Sequence, residues 1–152
     1  MDQLSPRLRA RLAKVPDIAR AAAAQAMEEG AAEIVAEMKR LVPVLKTPDG
    51  RRQAGALRDS IGYTWGDVPA GSFVIDEIRS GRNTGEQYAT LRIKIYAGSR
   101  EAFYGRFVEF GTKAGTPAQP FFFPAWKKMR PKFRARIRAA VKQAIKEAWA
   151  NG

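Results

Sequence analysis

The stretch YGRFVEFGTKAGTPAQPFFFPAW, residues 104–126, decides how the chain is read. It is too broken by glycine and proline for one long helix or strand, and its three consecutive phenylalanines are too apolar for a solvent loop. Tyr104, Phe107 and Val108 fall at helical spacing, which predicts a short helix. Gly111 supplies a left-handed stop to it. Residues before proline avoid the helical region, so PAQP is extended. Pro120 and Pro124 then bracket Phe121, Phe122 and Phe123, and Pro124 is placed at the first position of a new helix, where its missing N–H costs nothing. Neighbours in an extended run diverge, so not all three rings fit one core, and a leftover ring is an interface candidate. Glu109 is the lone acid of the stretch. Burial among aromatics could make it a proton donor, but no histidine or second carboxylate lies near it in sequence. The preferred reading is a structural ion pair, or a cap to backbone N–H groups in the loop GTKAGT that contains Thr112.

Working outward, residues 124–150 carry Phe133, Ile137, Val141, Ala144, Ile145 and Ala148 as an apolar helical stripe, with basic side chains over the remainder. Pro131 predicts a kink or a break there. Upstream, IGYTW (61–65), SFVIDEI (72–78) and ATLRIKIYA (89–97) read as strands. The alternation of Leu91, Ile93 and Ile95 with Arg92, Lys94 and Tyr96 favours an antiparallel sheet with one wet face. The polar segment RSGRNTGEQ reads as a projecting hairpin tip. An alanine-rich segment from Asp17 to Leu41 reads as a long helix capped by Asp17 and closed by Pro43, with Gly30 as a weak point. Residues 1–16 read as a basic arm or a separate short helix, and 42–56 as an exposed loop before GALRDSI, a single turn or strand entry. The expected fold is α+β: a long N-terminal helix and a C-terminal helix packed on a small antiparallel sheet of three to four strands. At 152 residues the length predicts a single domain, 1–152.

The chain has no cysteine and no histidine, which removes disulfides, thiol chemistry and the commonest general base. No nucleotide-binding or nucleophile motif occurs. No catalytic residue, metal ligand or cofactor is expected. There is no apolar run long enough to span a bilayer and no signal-peptide segment, which points to a protein made and used in a cytoplasm, or in something assembled there. The net charge of +12 is uneven: residues 123–152 hold nine basic side chains and one acidic one. Arg134, Arg138 and Lys142 share a face at four-residue spacing. Such a face fits an anionic partner or simple solvation. A membrane-surface role is disfavoured because the stripe is alanine-rich and light in bulky residues.

The pattern Y-x-x-F-V-E-F-G-T followed by A-Q-P-F-x-x-P-A resembles the small neck and tail-completion proteins of long-tailed bacteriophages, also found in prophages and gene transfer particles. Upstream, the helix ending in LVPV and then G-A-L-R-D-S-I is similar to the same family's helix, proline and T-G-x-L-R-x-S-I. The resemblance runs in order from about residue 17 to 140. The loop TPDGRRQAGAL departs from it, being longer and more basic than the family's. The resemblance implies a non-enzymatic virion protein of the neck or tail top, without cofactor. It implies a homo-oligomer, a hexameric ring, in contact with neighbouring neck and tail-tube proteins while DNA passes through the channel. Tyr104, Phe107, Glu109, Phe110, Gly111, Thr112, Pro120, Phe121, Phe122 and Phe123 become its expected subunit or partner interface. The basic face is placed on an acidic partner ring, with a nucleic-acid-binding protein as the alternative.

Overall fold

The computed structural model describes residues 5–43, 55–79, 92–115 and 117–151. In chain order these form α1 (Pro6–Leu41), α2 (Ala56–Asp59), β1 (Gly62–Thr64), β2 (Phe73–Arg79), β3 (Arg92–Ala97), α3 (Gly105–Phe110) and α4 (Phe122–Asn151). This is the α+β arrangement expected from the sequence. The hairpin-tip segment and most of the 42–56 loop lie outside the described residues. The two ends of that loop, Val42 and Gly55, are buried rather than exposed.

Both long helices override their prolines. α1 is capped by Ser5, not Asp17: the Ser5 hydroxyl accepts from the Leu8 N–H at 3.2 Å, and Pro6 occupies the first turn, where it is tolerated. Residues 6–16 are therefore neither a loose arm nor a separate helix. Pro16 lies inside α1 and costs it one donor. The helix continues because its first turns are held from outside. The Arg11 guanidinium stacks 4.3 Å from the centre of the Trp149 ring and also donates to the Trp149 carbonyl. α4 likewise passes Pro131 without a break and begins at Phe122, two residues before Pro124.

α1 and α4 run antiparallel. Lys128 sits against Glu37 at 2.9 Å and Arg136 against Glu33 at 2.6 Å. The helices meet closely at Gly30, where a Cβ would lie 2.5 Å from Cδ2 of Phe133. The roughly 1 kcal/mol that glycine costs a helix is offset by seating that ring, which is 3% exposed.

The sheet has the order β1-β3-β2, all antiparallel, with a register shift in β2 between Ile75 and Ile78. On the central strand Ile93, Ile95 and Ala97 are fully buried, while Lys94 and Tyr96 are half-buried. Met27, Ile34 and Met38 of α1 join those isoleucines in one core, closed at its end by Phe121 and Phe122.

Candidate functional site

α3 is a short helix with two different faces. Gly105 and Glu109, one turn apart, point inward and are buried. At Gly105 a Cβ would lie 2.9 Å from Leu57 and 3.1 Å from Phe73, so any larger residue there would have to push these side chains aside for α3 to settle this close to the core. Phe107 and Phe110 point outward and are 50% and 63% exposed, and Phe103 in the preceding turn is 59% exposed. Positions 103, 107 and 110 have the i, i+4, i+7 spacing of one helical row.

The Glu109 carboxylate holds α3 to the start of α4. Its Oε2 accepts from the N–H groups of Phe121 at 2.7 Å and Phe122 at 2.9 Å, and its Oε1 from Phe123 at 2.9 Å. The next residue, Pro124, has no N–H. One carboxylate and one proline thus settle most of the orphan donors that open a helix, and the negative charge lies at the positive end of the α4 dipole. Sequence reasoning named a backbone cap among the roles of Glu109 but aimed it at the GTKAGT loop; the structure directs it to Phe121–Phe123 instead. Gly111 ends α3 at φ +77° and ψ 180°, a backbone conformation that side chains avoid, and the Gln119 N–H donates to the Val108 carbonyl at 2.7 Å. These bonds return the chain to α3 before α4 begins.

The three phenylalanines do not form an extended run. The chain turns helical at Phe122, so the rings splay around the first turn. Phe121 and Phe122 are fully buried, and Phe123 is half-buried. Phe73 stacks edge-on against Phe122 at 4.8 Å, and Phe110 lies 5.7 Å from Phe123. Phe121 and Phe122 therefore support the outer surface from beneath. An open groove of about 590 Å3 lies beside Phe110 and Phe123, lined also by Glu109, Pro120, Pro124 and Lys127. Tyr104 and Thr112 are half-buried beside α3, and Pro120 is exposed. The structure thus brings Glu109, Phe110, Pro120 and Phe123 together. It holds Arg134, Arg138 and Lys142 apart from them, exposed along α4. Sequence reasoning missed Phe103. The signal was its four-residue step to Phe107, obscured because the helix proper starts only at Gly105.

Among the described residues no cluster of three or more histidine, cysteine, aspartate or glutamate side chains could hold a metal ion. No helix among them is long and apolar enough to cross a membrane.

The small α+β fold thus seats α3 tightly on its core yet leaves the aromatics Phe103, Phe107 and Phe110 exposed. The chain belongs to the family described as "Bacteriophage HK97-gp10, putative tail-component", whose model matches residues 7–111. That match takes in α1, the sheet and all of α3, so the inferred resemblance to phage tail proteins is correct at the level of the family. The A-Q-P-F-x-x-P-A segment lies beyond it. No curated protein and no solved structure matched the chain. As a phage tail component the chain is a virion protein that meets other virion proteins.

Proposed function

We propose that this tail component is a subunit of the neck or tail top of a phage or gene transfer particle. It assembles there into a hexameric ring that completes the tail or joins it to the head. The observation that carries the reading is the exposed row Phe103, Phe107 and Phe110 on a helix fixed from within by Gly105 and Glu109. Apolar patches of this kind mark contact surfaces, and aromatic side chains supply the anchors of most protein interfaces. Pro120, Phe123 and the groove beside Phe110 extend the same surface.

The test is complementation of particles lacking the wild-type protein with the variant Phe103→Ser, Phe107→Ser. Both rings are half or more exposed, so the folded monomer should melt within a few degrees of the parent. The expected result is a folded protein absent from purified particles, with unjoined heads and tails accumulating. Normal incorporation of the variant, or a particle reconstruction without a ring of this chain at the neck, would overturn the reading.

A second reading, nucleic-acid binding, is favoured by a separate observation: the exposed basic row on α4.

A further inference from the structure

Seven of the nine basic residues of 123–152 fall into two groups with different roles. Lys128, Lys132 and Arg136 face α1, where Glu37, Glu33 and Glu29 meet them. Arg134, Arg138, Lys142 and Lys146 are exposed and make no ion pair with any described residue. They follow one another at four-residue steps, about 6 Å apart along the axis and about 18 Å in all. The first turns of α1 reach the same end of the helix pair, because Arg11 is clasped to Trp149, and they add the exposed Arg7 and Lys14. Beyond Ala19 in α1 and Ile137 in α4, neither helix has a buried residue.

We propose that this outward face of α4 binds duplex DNA through its phosphate backbone, without reading sequence. The charge is complementary, and the surroundings favour phosphate over protein. The positions between the cations are Ala135, Ala139 and Gln143, so a nucleic-acid backbone can approach closely. Protein interfaces deplete lysine and rely on aromatic anchors; the exposed aromatic one turn past Lys146, Trp149, is already stacked by Arg11. Single-stranded nucleic acid is held by aromatic platforms interleaved with charge, and the positions between these four cations carry no aromatic side chain. A straight cationic row suits a duplex backbone. The choice of DNA over duplex RNA rests on the tail-component reading; the phosphate contact does not. This face and the aromatic row of α3 have different chemistry and so different partners.

The experiment uses the full chain and a fluorescent duplex DNA of random sequence, titrated by anisotropy at several salt concentrations. Each phosphate contact contributes a slope of about −0.9 in log affinity against log salt. Four contacts give about −3.6, a loss on the order of a hundredfold between 50 and 200 mM salt. Arg134→Gln, Arg138→Gln, Lys142→Gln should weaken that slope by about 2.7. The charge-matched control Arg100→Gln, Arg106→Gln, Lys113→Gln removes three exposed cations elsewhere and should leave the slope near the parent's. Equal losses in the two variants would mean diffuse attraction to a basic protein, and the proposal fails. It fails too if the parent does not bind DNA. A third failing outcome is an α4 variant that binds DNA like the parent but no longer enters particles, for the face then meets an acidic virion protein. Because the slope is measured on isolated protein, it stands even if the chain proves to occupy another station in the tail.

Discussion

At the scale of single residues, Glu109 carries more of the fold than any other polar group described. It is the one buried charged side chain among the described residues, at 4% exposure, and three backbone donors converge on it. Removing the carboxylate strands those donors, at about 1–3 kcal/mol for each buried group left without a partner. Glu109→Ala is expected to lose at least about 3 kcal/mol, and at 2–4 °C per kcal/mol for a chain of this size its midpoint should fall by at least about 6 °C. Glu109→Gln keeps one carbonyl oxygen for Phe121 and Phe122 but turns an amide toward Phe123, so its midpoint should lie between parent and alanine. Thermal melts of the three proteins decide it: an alanine variant melting with the parent would remove the cap from the account. The presence of a cap could be read from the sequence, because a lone acid among aromatics needs donors. Its target could not, since residues 112–116 are nearer in the chain and only the turn at Gly111 brings Phe121–Phe123 within reach. Gly30 was legible as a weak helix position and not as a seat, for nothing local to it announces Phe133.

At the scale of elements, the antiparallel pair of α1 and α4 explains both what sequence reading achieved and where it failed. The central strand could be read from alternation, because Ile93 and Ile95 are buried while Lys94 and Tyr96 stay half-buried, so a period of two survives in its residues. The lengths of the helices could not, because Pro16 and Pro131 are breakers by local rules and the opposing forces are non-local. Arg11 reaches Trp149, and Glu29, Glu33 and Glu37 of α1 meet Arg136, Lys132 and Lys128 of α4. Glu37 makes this pairing sensitive to acid. Its bidentate contact with Arg40 first, and its contact with Lys128 second, lower its carboxyl from the usual 4.5 to about 2. A carboxyl depressed in the folded state stabilises fully above its unfolded value, and that contribution fades as pH falls from about 4.5 through about 2. The parent should therefore lose more of its melting temperature between pH 5 and pH 2 than Glu37→Gln does. Identical pH profiles would show that the pair contributes nothing to folding, as many exposed ion pairs do not.

At the scale of the whole molecule, the chain presents two surfaces that differ in every physical respect. The α3 surface is aromatic, is fixed from beneath by Glu109, Phe121 and Phe122, and takes its stability from the core. The α4 row is cationic, lies past the last buried residue of its helix at Arg138, Lys142 and Lys146, and takes nothing from the core. At a rise of 1.5 Å per residue, Phe123 and Arg134, the nearest cation of the row, are about 16.5 Å apart along α4. Substitutions that far apart with no shared partner should act additively. Phe103→Ser, Phe107→Ser should abolish incorporation into particles yet keep the parent's salt slope for DNA. Arg134→Gln, Arg138→Gln, Lys142→Gln should lose most of the slope yet still enter particles, with its deficit appearing later, in the delivery of DNA. The combined variant should show both defects, each no larger than in its own parent variant. Particle composition by gel, anisotropy titrations and DNA-transfer counts on the same four proteins read this out. If the aromatic variant also loses its salt slope while remaining folded, the two surfaces work as one, and the chain must bind DNA only as an assembled oligomer.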